Sequence, residues 1–275
     1  MSAIQVPKSV PELIRLIARH GKRVLLVSGV DATADRPSSG KVIIDVTGVN
    51  LLNELEQNRG KISIGTGINL GRLAREATGE NGLLRQAASI IANPLVRNKV
   101  TFIQALDPDS PYFDITTPLV LLDAKVKLQS GAGKRTLSIR DYLEAATKGL
   151  KKGEIPVAVE FTKLPADQKV GFFRVARMGG KGSVSAAAKM KLVRTIVVSP
   201  EIVVSSLTLV PIRAKGAEKE IVGKPANEFS VKKAAELGAN DILDVAKKDN
   251  SYERTLIEIT VARTLRSIME GSFPV

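Results

Sequence analysis

Arg23-Val24-Leu25-Leu26-Val27-Ser28-Gly29 is a short apolar run that ends in a hydroxyl and a glycine. Such a run, bounded by a turn signal, reads as a buried strand entering a loop. Upstream, residues 7–20 place Leu13, Ile14, Leu16 and Ile17 at helical spacing behind Ser9, a good N-cap. His20 closes that helix, where a histidine complements the negative end of the dipole. Downstream, residues 32–40 are polar and carry Pro37 and Gly40, which marks a loop. Val42-Ile43-Ile44 then reads as a second strand. The opening segment is therefore helix, strand, loop, strand, a small α/β unit.

The same reading extends along the chain. Residues 61–65 and 154–164 alternate as strands, and residues 70–78, 83–92 and 139–147 have helical spacing. Asn93-Pro94 stops the second of these helices. Residues 119–128 are apolar and then alternating, which predicts a strand. Beyond Leu164-Pro165 come three strand candidates, 172–177, 190–198 and 202–210, and then helices over 231–237 and 252–269. Strands followed by helices predict a separate α+β domain. The expected division is residues 1–52, 53–165 and 166–275.

Composition excludes several chemistries. The 275 residues include no cysteine and one histidine, so thiolate catalysis, disulfides and iron–sulfur ligation by this chain are ruled out. A zinc site made by this chain alone is disfavoured for the same reason. There is no apolar run of about 18 residues, and the N-terminus lacks a basic start with an apolar stretch, so a cytoplasmic protein is expected. The bias towards Ile, Val, Lys, Arg and Glu fits a thermophile. The net charge of +13 favours an acidic partner.

The charge is concentrated in one place. Residues 168–200 contain no acidic side chain, yet hold Lys169, Arg174, Arg177, Lys181, Lys189, Lys191 and Arg194. This is either a surface for RNA, the ribosome or another anionic partner, or a solvated sheet face. Elsewhere, Gly29 and Asp31 follow a buried strand, where ligands of α/β folds commonly bind. Arg97 and Asn98 stand just before Thr101, cations and polar groups suited to a phosphate or to a solvated connection. Asp114 is placed either to contact a sugar hydroxyl or to cap a turn.

In order along the chain, several segments resemble one family. Val42-Ile43-Ile44-Asp45-Val46 is similar to its "LIDL" strand, and Ile62-Ser63-Ile64-Gly65-Thr66-Gly67 to its "lrIGA.t" segment. Pro94-Leu95-Val96-Arg97-Asn98 resembles "P.iRN". Asp114 with Pro118-Leu119-Val120-Leu121-Leu122-Asp123-Ala124 resembles "D…LLaLdA". Gly153-Glu154-Ile155 and Pro211-Ile212-Arg213-Ala214 match later motifs. The family is that of the flavin-binding medium subunits of molybdenum hydroxylases, carbon monoxide dehydrogenase and xanthine dehydrogenase among them.

The resemblance implies an α+β / α/β chain. A two-part flavin-type (PCMH-like) domain precedes a smaller C-terminal domain with a three-stranded sheet and helices. It also implies FAD, with molybdopterin and iron–sulfur subunits as partners. The family's phosphate-cradling "AGGTDL" is replaced by Ser28-Gly29-Val30-Asp31-Ala32-Thr33, and "TIGGN" by Thr101-Phe102-Ile103-Gln104-Ala105. On this reading Gly29 and Asp31 approach a pyrophosphate through their backbone, and Thr101 offers a hydroxyl. Asp114 accepts from a ribose or ribityl hydroxyl, with Arg97 and Asn98 in support. The other reading is a flavin-free relative that binds an acidic partner through its basic surface.

Overall fold

The computed structural model describes residues 4–27, 42–58, 60–77, 82–151, 153–176, 183–206, 208–247 and 251–270. In chain order the first elements are α1 (Val10–His20), β1 (Val24–Val27), β2 (Val42–Asp45), β3 (Leu55–Asn58) and β4 (Lys61–Gly65). Four helices follow: α2 (Leu70–Glu76), α3 (Leu83–Ile91), α4 (Pro94–Arg97) and α5 (Phe102–Ala105). Next come α6 (Thr116–Leu121), β5 (Lys125–Ser130), β6 (Gly133–Ser138), α7 (Ile139–Lys148) and β7 (Ile155–Thr162). The last part holds β8 (Gln168–Ala176), β9 (Ser183–Val193), β10 (Ile196–Ser205), β11 (Ile212–Arg213), α8 (Lys215–Ile221), α9 (Glu228–Ala246) and α10 (Ser251–Glu270).

These elements form two compact units. The first comprises Met1–Ala77, Ala92–Phe113 and Asp123–Lys163, and the second Thr78–Ile91, Asp114–Leu122 and Leu164–Val275. In the first unit β1 and β2 pair in parallel, Val24 opposite Val42 and Val27 opposite Asp45. The Ser9 hydroxyl caps α1 by accepting the Glu12 N–H, as the sequence predicts. Val10, Leu13 and Ile14 of α1 pack with Ile44, Val46, Val49, Leu52 and Val157 in one buried cluster. A five-stranded antiparallel sheet, in the order β3-β4-β7-β5-β6, completes the unit.

A close approach holds this unit together. A Cβ on Gly65 would lie 2.3 Å from the Leu52 carbonyl oxygen, so only glycine lets the two backbones meet there. The Gly67 N–H donates to that same carbonyl at 2.8 Å. At the other end of the sheet, Arg135 Nε and Nη2 donate to the two oxygens of buried Glu154 at 2.6 and 2.8 Å. Hydrogen bonding from this guanidinium, opposed by burial, holds the Glu154 carboxyl below its ordinary pKa.

The second unit is a four-stranded antiparallel sheet, β11-β10-β9-β8, backed by helices. Alternate residues Ala186, Ala188 and Met190 of β9 and Ile202 and Val204 of β10 are buried. They pack against Val231, Ala234, Ala235 and Ile242 of α9 and Ile257, Val261 and Leu265 of α10. The small residues on α9 keep that helix near its neighbours.

Several expectations require correction. The apolar stretch 119–128 is not one strand: α6 ends at Leu121, and β5 begins at Lys125 after Asp123 adopts a positive φ of 48°. Residues 190–198 are not one strand: they hold the end of β9, a turn at 194–195 with Arg194 at φ 56°, and the start of β10, so apolarity there marks both flanks of a hairpin. The short β11 makes the C-terminal sheet four-stranded, and α8 escapes a reading based on apolar periodicity.

Gly65→Ala is expected to destabilise the protein by about 1–3 kcal/mol through overpacking against Leu52, measured by denaturant unfolding. Glu154→Gln is expected to lower thermal stability at neutral pH by about 1 kcal/mol, screened because Arg135 is partly exposed. A depressed carboxylate pKa contributes stability above its unfolded value that is lost as pH falls through the folded one. Melting temperatures of the two proteins therefore converge in acid; a constant gap down to strong acid would show that the ion pair is not its source.

Candidate functional site

The carboxyl end of β1 lies beside α5. There Ile17, Gly21, Val24, Leu25, Leu26, Ile103, Gln104, Asp107 and Ile155 line a cleft of about 270 Å³. Its walls are mainly aliphatic, with Gln104 and Asp107 as the polar exceptions. Gly29 and Asp31 follow β1 directly in sequence but lie outside the described residues.

α5 forms because Thr101 and Gln104 make a capping box. The Thr101 N–H donates to Gln104 Oε1 at 2.8 Å, and the Gln104 N–H to Thr101 Oγ1 at 3.3 Å. The Thr101 hydroxyl also donates to Gln104 Oε1 at 3.1 Å. Reciprocal bonds of this kind satisfy the orphan donors of a helix start. The Phe102 N–H donates to the Ile68 carbonyl at 2.7 Å, Ile103 N–H to Thr66 at 2.8 Å, and Ala105 N–H to Thr101 at 3.2 Å. Every amide from Thr101 to Ala105 thus has a partner within the chain. Thr101, Phe102 and Ala105 are fully buried.

The hydroxyl that the resemblance assigns to a ligand at Thr101 serves the cap. Arg97 donates through Nη1 to the Ala92 carbonyl, across the short helix α4. Asn98 ends that helix, its N–H donating to the Pro94 carbonyl at 3.1 Å. Its Oδ1 lies 2.1 Å from where a Cβ on Gly71 would stand, so a side chain there would displace the Asn98 amide. Thr101, Arg97 and Asn98 therefore share one unit, Thr101 capping α5 while Arg97 and Asn98 close α4. Asp107, on the cleft wall, faces a neighbour whose titration it affects. Burial foremost, and then the Asp107 charge, hold the Tyr142 phenol well above its ordinary pKa.

Asp114 belongs to the second unit. Its side chain is 4% exposed, accepts from Arg174 Nε, and accepts from Ser183 Oγ at 2.6 Å. Arg174 also donates to the Ile91 carbonyl at 3.4 Å. In this arrangement Asp114 is a structural anchor for β8 and β9.

Three of the seven cations of the basic stretch are paired with carboxylates. Lys189 is 8% exposed, donates to the Leu121 carbonyl at 3.0 Å and pairs with Glu201. Lys191 pairs with Asp167 at 2.8 Å, and Arg174 with Asp114. Lys169 and Arg194 are exposed, while Arg177 and Lys181 lie outside the described residues. The acid-free sequence is thus met by carboxylates from other segments. A second concavity, about 370 Å³ on the five-stranded sheet, mixes Glu54, Glu56 and Glu160 with Lys127, Lys134 and Arg135. Among the described residues there is no group of metal-ligating side chains, and no helix is long and apolar enough to cross a membrane.

Comparison with known proteins places the chain. Residues 1–164 match the family described as FAD binding domain in molybdopterin dehydrogenase. The chain is 26% identical over 231 residues to the glyceraldehyde dehydrogenase medium chain of Sulfolobus acidocaldarius, covering 80% of this chain and 81% of that one. It is 24% identical over 275 residues to the 6-hydroxypseudooxynicotine dehydrogenase complex subunit alpha of Paenarthrobacter nicotinovorans, covering 94% and 93%. Its fold matches a chain of quinoline 2-oxidoreductase from Pseudomonas putida 86 with a TM-score of 0.81 at 23% identity, covering 100% and 99%. A chain of CO dehydrogenase from Oligotropha carboxidovorans superposes with a TM-score of 0.79 at 19% identity, covering 98% of each. The chain belongs to the family of FAD binding domains in molybdopterin dehydrogenases.

Proposed function

We propose that this chain is the FAD-holding medium subunit of a molybdenum hydroxylase-type dehydrogenase complex, working beside molybdopterin and iron–sulfur subunits. The observation that carries this reading is the family match over residues 1–164. Relatives named as a dehydrogenase medium chain and as a dehydrogenase complex subunit, each aligned over most of its length, point the same way. Redox chemistry in such a complex is the flavin's own; the protein contributes binding and orientation.

The described half of the cradle does not fit a pyrophosphate. The amides from Thr101 to Ala105 are engaged within the chain, and Asp107 brings a negative charge to the same cleft.

The other reading, a flavin-free protein with a basic binding face, keeps only the net charge of +13 in its favour. Arg174, Lys189 and Lys191 are committed to carboxylates.

The purified complex is expected to show the visible absorbance bands of an oxidised flavin. Added FAD should raise the melting temperature, by the equivalent of about 2.7 kcal/mol at a hundredfold excess over Kd. A colourless complex that neither takes up FAD nor gains stability from it would refute the proposal.

A further inference from the structure

We infer that the open face of the five-stranded sheet pairs with the same face of a second copy of this chain, across a two-fold axis that runs along β7. Flavin plays no part in this pairing, which follows from how charge is distributed across the sheet.

Residues directly opposite each other on neighbouring strands share a face. One face of the sheet carries Ile62, Ile64, Val126, Val159 and Phe161, all buried. On the other face the register sets Glu56 beside Ser63 and Glu160, and Gly65 beside Ala158, Lys127 and Thr136. Glu54 joins that face by alternation, and so does Lys134, two residues before Thr136. These side chains line the concavity of about 370 Å³. Two of its ion pairs are closed within the chain, Lys127 with Glu160 and Arg135 with Glu154. That leaves the carboxylates of Glu54 and Glu56 at β3 and the ammonium of Lys134 on β6. All three are exposed and, among the described residues, have no ionic partner.

The strand order β3-β4-β7-β5-β6 has β7 at its centre, with β3 and β6 as the two edges. About that centre the free charge of the concavity is antisymmetric, acidic at one edge and basic at the other. A two-fold axis along β7 lays β3 of one copy over β6 of the other, and the reverse, so the contact of acid with base is made twice. An axis across the strands would instead set acid on acid. The molecule certain to carry the matching pattern at the matching spacing is another copy of this chain. Ser63 and Ala158 keep the floor of the concavity shallow in side chain, which lets a second sheet approach. Leu51, 45% exposed, lines the concavity on the β4 side, where its carbonyl lies 2.9 Å from where a Cβ on Gly65 would stand. The same rotation carries its side chain over the β5 half of the partner and covers it. From β3 to β6 there are four interstrand spacings, about 19 Å in all. An interface of that width is at the small end of specific ones, so the pairing is reversible and depends on concentration.

The test is sedimentation equilibrium of the purified full chain over a range of protein concentrations. The parent should form a dimer at low ionic strength, with a Kd that rises at least about tenfold between about 0.05 M and about 0.5 M NaCl. Glu54→Lys/Glu56→Lys and Lys134→Glu/Thr136→Glu should each be monomeric, because each makes its two edges alike in charge. Mixed in equal amounts, they should form a heterodimer, since lysines then meet glutamates at both contacts. Circular dichroism verifies that each variant is folded. Glu54→Gln/Glu56→Gln or Lys134→Gln replaces a reversal that is not, and should raise Kd at least about tenfold. A parent that stays monomeric at low salt would overturn the inference, as would a dimer indifferent to salt and to both reversals. Folded reversal variants that do not pair when mixed would overturn it too. A monomeric chain whose reversals instead release another subunit from the purified complex would overturn it and give the face to that subunit.

Discussion

The carbonyls of Thr66 and Ile68 accept the amides of Ile103 and Phe102, and the Val100 carbonyl accepts the amide of Leu70. These three bonds lace residues 66–70 to residues 100–103, two stretches far apart in sequence. The lacing is possible because Gly65 lets its strand run against the Leu52 carbonyl, and because Gly71 makes room for Asn98. Once it is made, α5 has one orientation, and the cleft beside β1 takes its shape from it. The bonds that define the cleft are also the bonds that occupy its donors. Turning the amides of Phe102 and Ile103 towards a ligand would mean breaking the contacts that position them, and a buried carbonyl left without a donor costs about 1–3 kcal/mol.

The second unit is organised by buried charge. It gathers Thr78–Ile91 and Asp114–Leu122, which the chain supplies well before its main body. Hydrogen bonds draw these pieces onto the sheet. Asp114 takes Arg174 and Ser183, the Leu121 carbonyl takes Lys189, and the hydroxyls of Thr117 and Ser185 lie 2.8 Å apart. Removing one partner from such a buried set is far more costly than replacing the whole set by apolar groups. Arg174 and Lys189 of the acid-free stretch are therefore anchors rather than parts of an exposed face. Net charge describes the solvent-facing field of a protein, not the fate of each cation.

Much of the fold was legible where periodicity was strong. The Ser9-capped helix, the β1–β2 pair, the Ile62–Gly65 strand, α7 and α10 all follow from alternation or from helical spacing. The misses share a cause. β3 (Leu55-Glu56-Gln57-Asn58) and β6 (Gly133-Lys134-Arg135-Thr136-Leu137-Ser138) are edge strands, and their polar residues carry no apolar period. α9 is longer than expected because its buried stripe is built from alanine and glycine as well as Val231 and Ile242. Residues 119–128 mislead because both a buried helix and a buried strand are continuously apolar. At the site, the resemblance assigns Thr101 to a ligand, and in the structure its hydroxyl bonds to Gln104. The Thr-x-x-Gln spacing from Thr101 to Gln104 is a capping-box signature, and it is the signal for the hydroxyl's actual partner.

That signature also shows how the turn at Thr101 is completed by the chain's own side chains. Glycines in a phosphate loop are passive: they have no side chain to compete for the amides, and they leave the backbone free to be completed by the ligand. Glutamine at the third position of a helical turn supplies an acceptor for the amide at the turn's start. The apoprotein is thereby made more self-sufficient, a gain in local stability of the size typical of a helix cap. Gln104 Oε1 accepts both the amide and the hydroxyl of Thr101, so one side-chain oxygen closes the start of α5.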